Sequence, residues 1–360
     1  GKVLRQGDIY QWKGMAQEVY EYFNKTGNVS KWSGSMFSGM PAYQIANIPP
    51  QSGFAGFMFK VLNFIYGLLH LFFDSVLGII IGYFIGFFIL IRSFNINKWL
   101  SIVGSIAITL SSYFFIIIVA GHETKALALG LMAPVIAGFY LIFRKKYLWG
   151  VCLTMLFTAL GFYKHPQMSY YIFMMIGVLA IAEIWQHIKE KRFKDMAIAI
   201  SLFVLSVLIG AGTGYGNYKS NAEYMTETMR GGHSELVREE AGATSANESG
   251  LSFDYATQWS YGIGETFTLM IPNFRGGASS SKIGTDSRFA EALKSRGVDP
   301  QTVNYFSSAA PTYWGEQPFT AGPVYVGAIV CLLFVLGLCI VKGPYKWGLL
   351  IATLFSVLLS

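Results

Sequence analysis

Long apolar runs separated by short polar junctions dominate the chain after residue 70. A helix that spans a bilayer needs about 20 mostly apolar residues, with about 17 as the lower limit. Seven runs meet this requirement, and an eighth begins at Trp347 and is cut off by the end of the sequence. The seven runs are residues 71–91, 99–120, 126–143, 147–163, 168–185, 196–212 and 324–341. The pattern predicts an all-α polytopic membrane protein, a multi-span helical bundle.

The junctions between these runs alternate in charge. Every second junction is rich in Lys and Arg, namely residues 92–98, 144–146, 189–194 and 342–346. Because basic junctions stay on the cytoplasmic side of a membrane, the remaining junctions are expected on the opposite face. These are residues 1–70, 121–125, 164–167 and 213–323.

The predicted organisation therefore has four parts. Residues 1–70 form a first extracytoplasmic loop with interfacial helices, and residues 71–212 form six transmembrane helices joined by short loops. Residues 213–323 form a long extracytoplasmic loop, and residues 324–360 form two transmembrane helices, of which the last is truncated. Since the chain opens at Gly1 without a methionine and stops inside an apolar run, we expect a fragment of a longer protein.

The composition supports the membrane interpretation. Only 13% of the 360 residues are charged and 53% are hydrophobic, which leaves too little polar surface to solvate a water-soluble globule. The formal net charge is +7. Because the basic residues lie in short loops between apolar runs, a nucleic-acid partner is not expected, and membrane lipid is.

The first outer segment carries signals for two helices and a loop. Residues 8–23 predict a helix with Asp8 as its N-cap. Residues 54–73 are apolar but punctuated by polar side chains, which is typical of a helix lying in the membrane interface. Between them, the Gly- and aromatic-rich residues 32–44 predict an irregular loop.

The long outer segment mixes ordered and polar stretches. Residues 218–236 predict an amphipathic helix that ends at Gly231, with Glu223, Glu227, Arg230 and His233 at helical offsets. Residues 239–250 are small and polar, as expected of a mobile stretch.

Chemistry on an outer face, where no nucleotide pool exists, favours a substrate embedded in lipid, such as a polyprenyl-phosphate-linked sugar. Such a donor needs cations for its phosphate, a carboxylate for the acceptor's proton and aromatic faces for the sugar. Asp8 is the first outer acid and the leading candidate for the catalytic carboxylate, although on composition a helix cap is the more probable role.

Two short outer turns supply candidate cations. The turn 121–125 contains His122, Glu123 and Lys125, which either contact a lipid phosphate or form an ordinary solvated turn. The turn 164–167 contains Lys164 and His165, and its cations are unusual on an outer face, which favours anion binding. The two histidines do not have the spacing of a zinc site.

Arg275 and Glu316 are candidates in the long loop, together with Glu265. All three lie in aromatic, turn-rich contexts, where a buried structural partner is the alternative to a ligand contact.

Several motifs resemble those of a known family. These are GKVLRQGDIYQWKGMAQEV, WSGSMFSGMPAYQ, AGHETKALAL, KHPQMSYY and YWGEQPFTAGPVYVG, which together cover nearly the whole chain. They resemble bacterial YfhO-like membrane proteins, which belong with the GT-C glycosyltransferases. The resemblance implies a GT-C-like helical bundle of the bacterial inner membrane with an extracytoplasmic active face. It also implies that Asp8 takes the position of the first-loop acid of these enzymes.

The resemblance further implies transfer of a sugar from a polyprenyl-phosphate donor to an envelope glycan, lipid or protein acceptor. In this interpretation Asp8 is catalytic, while His122, Glu123, Lys125, Lys164, His165, Arg275 and Glu316 bind substrate. No cofactor is certain and no metal ligands are assigned, because the turn with His122 has one acid where several GT-C enzymes have two. A divalent metal ion stays open, as do two other functions: a lipid-linked-sugar flippase and a non-catalytic envelope assembly protein.

Overall fold

The computed structural model describes residues 4, 6–46, 56, 57, 60, 61, 64, 67, 75–228 and 253–360. Most of the predicted interfacial helix 54–73 lies outside the described residues. So do the polar stretch 239–250 and the two predicted helix residues Arg230 and His233.

Two compact units divide the chain. The first unit contains Gly1–Leu110 and Ile117–Gly250, and the second unit contains Ser111–Ile116 and Leu251–Ser360. These units group residues by their contacts, whereas the four predicted parts group them by side of the membrane.

The described chain is mainly helical, and its only sheet is a two-stranded hairpin. The helices up to residue 228 are α1 (Gly7–Thr26), α2 (Ser75–Ser93), α3 (Lys98–Thr109), α4 (Ser112–Ala120), α5 (Glu123–Phe143), α6 (Tyr147–Lys164), α7 (Pro166–Lys189), α8 (Phe193–Gly212) and α9 (Tyr215–Met225). The helix predicted over 218–236 therefore starts earlier than expected, and it ends at Met225 rather than at Gly231.

Helix α5 lies at the centre of the first unit, where it packs against α2, α6, α7 and α8. Small residues let these backbones approach closely. A Cβ placed on Gly138 of α5 would lie 2.8 Å from the carbonyl oxygen of Gly150 in α6, and a Cβ on Gly210 of α8 would lie 2.6 Å from the carbonyl oxygen of Met155. The glycines therefore fix the distances between α5, α6 and α8.

Several helices of the described chain have the length and apolar character needed to cross a membrane. Four meet both conditions: Val76–Ser93, Glu123–Phe143, Pro166–Lys189 and Phe193–Gly212. The bent pair α3 and α4 makes a fifth if it is counted as one span, and shorter apolar helices cover Tyr147–Phe162, Ala328–Ile340 and Tyr345–Leu358. The prediction of a helical protein is confirmed, and its apolar helices are compatible with a multi-pass membrane protein.

The run predicted as one helix over 99–120 is broken. α3 ends at Thr109, α4 begins at Ser112, and the two helices differ in direction by 44°. Ser112 Oγ accepts a hydrogen bond from the Tyr325 N–H at 2.7 Å. This contact within the second unit occupies the serine side chain at the break, and the apolar pattern alone does not reveal it.

At its first residues α1 departs from the prediction. Gln6 is the N-cap residue and Gly7 the first helical residue, so the predicted capping role of Asp8 is wrong. Asp8 lies in the first turn, where a negative charge interacts favourably with the helix dipole. The helix ends where Gly27, at a φ of +70°, donates its N–H to the carbonyl of Phe23.

The segment predicted as an irregular loop over 32–44 contains a short hairpin. β1 (Trp32–Ser33) pairs antiparallel with β2 (Met40–Pro41), and a 3₁₀ turn follows at Ala42–Gln44. The Glu18 carboxylate of α1 accepts hydrogen bonds from Ser33 Oγ at 2.7 Å and from the Ser35 N–H at 3.0 Å. These bonds attach the hairpin to α1.

The second unit contains six further helices. They are α10 (Phe253–Thr257), α11 (Ile263–Thr266), α12 (Arg288–Ser295), α13 (Pro300–Ala309), α14 (Ala328–Ile340) and α15 (Tyr345–Leu358). α14 begins four residues later than the predicted run 324–341, because the N–H groups of Val326 and Gly327 donate to the carbonyl of Leu269. Its 13 residues reach about 20 Å, against about 30 Å for a hydrocarbon core.

Candidate functional site

An acid–imidazole pair joins the first segment to the turn before α5. Asp8 Oδ2 lies 2.8 Å from His122 Nε2, and the two side chains are 53% and 49% exposed. The other oxygen, Oδ1, has no hydrogen-bond partner in the part of the chain that the structure describes. The pair therefore presents one occupied and one available carboxylate oxygen to solvent.

Gln6 anchors the start of α1 beside this pair. Its side chain is buried, and Nε2 donates a hydrogen bond to the carbonyl of Ile118 at 2.6 Å. This contact fixes the residue before α1 against the end of α4, two residues ahead of Asp8. The start of α1, which carries Asp8, is thus held by a residue more than a hundred positions away in the sequence.

Gly121 allows the two segments to approach. Its φ is +94°, and a Cβ at this position would lie 3.2 Å from the Asp8 Cβ and 3.3 Å from the Gln6 Cβ. A side chain would therefore face both strain from the positive φ and crowding from Asp8 and Gln6.

His165 and Lys125 extend the pair into a group of polar side chains. Burial lowers the pKa of His165, and the charges of Lys125 and His122 lower this pKa further. His165 Nδ1 accepts a hydrogen bond from the Met168 N–H at the start of α7. A neutral His165 whose Nδ1 accepts this bond carries its proton on Nε2, where it can donate to a ligand.

Two more predicted residues lie next to this group. Glu123 is the first residue of α5, directly after His122. Lys164 is the last residue of α6, directly before His165, and its side chain lies outside the described atoms. The structure therefore joins Asp8 to His122 by a direct contact, and the charges of His122 and Lys125 act on His165. Glu123 and Lys164 are adjacent to this group in the sequence.

The basic junction 144–146 makes its ion pairs elsewhere in the first unit. Arg144 Nη1 lies 3.0 Å from Glu183 Oε1 and donates to Oε2 at 3.1 Å, and Lys145 Nζ lies 2.7 Å from Asp195 Oδ2. About 27 Å of helix separates Glu183 from His165, at 1.5 Å per residue of α7. The two classes of junction that the charge pattern separates thus lie at different ends of α7.

Arg275 and Glu316 belong to the second unit. The Arg275 guanidinium lies 4.7 Å from the centre of the Trp314 ring, and it occupies the space that a side chain at Gly264 would need. A Cβ on Gly262 would lie 2.7 Å from the Glu316 carboxyl carbon. Both predicted residues therefore pack closely against glycines of the segment 262–264.

Glu265 is the buried acid of the same cluster. It is 4% exposed, and it accepts hydrogen bonds from the Tyr313 hydroxyl and from the Gly262 N–H, the latter at 3.0 Å. Burial and the bond to Glu265 raise the pKa of Tyr313 to about 12. The cavity beside Glu265, Arg275 and Tyr313 measures about 10 Å³, enough for about one water. The contacts of Glu265 with Tyr313 and Gly262 are those of a structural core.

Sequence reasoning missed Gln6, Gly121 and Tyr313. Gln6 and Gly121 adjoin predicted residues in the strings QGD and GHETK, so proximity to a candidate was the only available signal. Their roles depend on contacts between distant segments. In the ranges that the structure describes, no three His, Cys, Asp or Glu side chains come close enough to hold a metal ion.

No family model matches this chain, and no curated protein or solved structure matches it significantly. The class that the fold itself defines is a helical protein with several apolar helices and a solvent-exposed acid–imidazole pair.

Proposed function

We propose that this chain is a membrane glycosyltransferase of the GT-C type, related to the YfhO-like proteins. It transfers a sugar from a polyprenyl-phosphate donor to a cell-envelope acceptor on the extracytoplasmic face of the bacterial inner membrane. The observation that carries the proposal is the 2.8 Å contact between Asp8 and His122. The charges of Lys125 and His122 act on His165 and lower its pKa.

Exposed apolar surface supports a membrane setting. Only 17% of the apolar 18-residue stretch of α8 is buried inside the protein, against 72% of the corresponding stretch of α5. Leu205, Leu208 and Ile209 of α8 are each more than half exposed. A contiguous apolar helix face of this kind is costly in water and favourable in lipid.

Asp8 serves as the general base in this proposal. Its Oδ1 takes the proton of the acceptor hydroxyl while the hydroxyl oxygen attacks the anomeric carbon of the donor sugar. The bond from that carbon to the phosphate oxygen breaks, and its electron pair leaves with the polyprenyl phosphate. His122 holds the other carboxylate oxygen and so orients Asp8.

Lys125 and His165 bind the phosphate in this proposal. The ammonium of Lys125 compensates the negative charge that grows on the leaving phosphate. His165 donates a hydrogen bond from Nε2, and a bound anion raises the pKa of the imidazole because it favours the charged form. No step is assigned to Arg275 or Glu316, which belong to the second unit.

Transfer from a polyprenyl-phosphate sugar by the full chain in lipid nanodiscs tests the proposal. We expect wild-type protein to consume the donor and Asp8→Asn to lower the rate by about 10²- to 10⁴-fold, the usual contribution of a general base. Asp195→Asn is the matched control, since Asp195 is also a partly exposed acid in an ion pair. Full activity of Asp8→Asn would remove this residue from the mechanism, and donor movement without consumption would indicate a flippase.

A further inference from the structure

A pocket of the first unit lies beside α1. It has a volume of about 240 Å³ and is lined by Trp12, Tyr43, Gln44, Ile45, Ala46, Asn217 and Asn221. Three segments form it: α1, the residues after β2, and α9. The volume is far above the ~10–15 Å³ that one water needs and just below the ~300 Å³ typical of drug-sized ligands. It suits a ligand of one ring.

Two aromatic side chains form fixed walls of this pocket. The Trp12 indole donates its Nε1–H to the carbonyl of Ile45 at 2.9 Å, and 38% of the side chain stays exposed. Tyr43 is 50% exposed, and its hydroxyl donates to the carbonyl of Ser220 at 3.3 Å. Both rings are thus held by hydrogen bonds at their polar ends while ring surface stays accessible.

The polar lining consists of amides. Gln44 Nε2 donates to Asn221 Oδ1 at 2.6 Å, which leaves the Gln44 oxygen and the Asn221 nitrogen for a ligand. Asn217 has no side-chain hydrogen bond to any described residue, and it is exposed. Amides donate and accept at fixed positions. Paired with aromatic faces, they match a neutral ring that carries several hydroxyl groups, and no charged side chain lines the pocket.

The position of Trp12 relates this pocket to the candidate acid. Trp12 follows Asp8 by four residues in α1, so the two side chains share a helix face about 6 Å apart along the axis. The cations Lys125 and His165 belong to the Asp8 group rather than to the pocket lining. The pocket therefore suits the uncharged reactant, not the donor phosphate.

We infer that the pocket lined by Trp12, Tyr43, Asn217 and Asn221 binds a pyranose ring of the glycosyl acceptor. The inference rests on the proposed function, because it places the acceptor hydroxyl one helical turn from the proposed base. A ring stacked on Trp12 and bonded to the amides presents a hydroxyl along α1 toward Asp8.

Saturation-transfer NMR on the full chain in nanodiscs tests the inference, with the methyl glycosides of glucose, galactose, mannose and N-acetylglucosamine as probes. We expect at least one glycoside to bind, Asn217→Ala and Asn221→Ala each to weaken it about tenfold, and Trp12→Ala to abolish it. Asn217 is exposed and unbonded, so its variant is expected to fold. Asn304→Ala, at an exposed asparagine of α13 outside the pocket lining, is the matched control and should leave binding unchanged.

The outcome distinguishes failure of the inference from failure of the proposed function. If no glycoside binds, or if binding is insensitive to both asparagine variants, the pocket assignment is wrong even if transfer occurs. If binding depends on Asn217 and no donor is consumed, the transferase proposal is wrong and the pocket stands. With transfer observed, Asn217→Ala should raise the KM for the acceptor and leave the KM for the donor unchanged.

Discussion

The first unit contains two clusters of acid and base that differ in burial. Glu183 and His187, near the end of α7, are 0% and 1% exposed, and Arg144 contacts both carboxylate oxygens of Glu183. Asp8 and His122 form one contact and are each about half exposed. The same residue types therefore form a buried cluster around Glu183 and an exposed pair at Asp8 and His122.

The difference in burial predicts that the two clusters contribute very differently to stability. Removing one partner of a buried ion pair leaves the other charge without compensation, which is strongly destabilising. An exposed pair contributes only about 0–1 kcal/mol to stability. The Asp8–His122 contact is therefore expected to contribute little to stability, which is compatible with the proposed action on a ligand.

The largest effect on stability is expected at Glu183. Glu183→Gln keeps the side-chain volume but leaves Arg144 without its counter-charge, and we expect a loss of about 3–5 kcal/mol in the free energy of unfolding. Thermal unfolding in nanodiscs measures this. Glu190→Gln is the matched control, because Glu190 pairs with Arg192 near the same end of α7 but is exposed. Equal shifts in the two variants would contradict the structural role of Glu183.

Gly121→Ala is expected to have an intermediate effect. Its positive φ costs a residue with a Cβ about 1–2 kcal/mol, and the added methyl meets Asp8 and Gln6. Gly27→Ala is the control, since Gly27 has a φ of +70° and no atom within 4 Å of a Cβ.

Both glycine variants should lose stability in thermal unfolding, and Gly121→Ala should lose more because its methyl also meets Asp8 and Gln6. Only Gly121→Ala should also reduce sugar transfer, because only its methyl displaces Asp8. If Gly27→Ala reduced transfer to the same extent, the effect would reflect backbone strain in general and not the geometry of the pair.

The smallest effect concerns pH and His165. Burial and the nearby charges lower the pKa of His165 in the folded protein. In the unfolded chain this histidine keeps its ordinary pKa of about 6.5, so below that pH the unfolded chain binds more protons than the folded protein. The stabilisation from neutral His165 is thus complete above that pH, and it is lost as the pH falls further through the lower pKa of the folded state.

His165→Asn tests this sign, because asparagine also caps helices well and does not titrate. Between pH 7.5 and 5.5 the variant should lose less stability than the wild type, as measured by the midpoint of thermal unfolding. An equal loss in both proteins would show that other groups cause the acid sensitivity.

The positions of the long apolar helices follow closely from the apolar pattern. The run predicted over 126–143 is observed as Glu123–Phe143, and the run over 196–212 as Phe193–Gly212. Two of the predicted apolar runs, 99–120 and 324–341, differ from the observed helices because of contacts between distant segments. Ser112 bonds to the Tyr325 backbone at the break before α4, and Leu269 accepts the N–H groups ahead of α14.

The candidate site was predictable only in part. Alternation of basic junctions placed the segments with Asp8, His122 and His165 on one side, and these residues do lie together. The capping role of Asp8 was mispredicted because the bond from Gln6 to Ile118 joins segments more than a hundred residues apart. The pocket between α1 and α9 also depends on such contacts, so no local motif marks Asn217 or Asn221.

The most direct measurement of the central claim is a double-mutant cycle on the rate of sugar transfer with Asp8→Asn, His122→Gln and the combined variant. Two residues that act as one unit give non-additive losses. The account predicts that each single variant loses most of the activity and that the double variant is hardly slower than Asp8→Asn alone. If the double variant lost activity by the product of the two single fold-losses, or if either single variant kept full activity, the account would be contradicted.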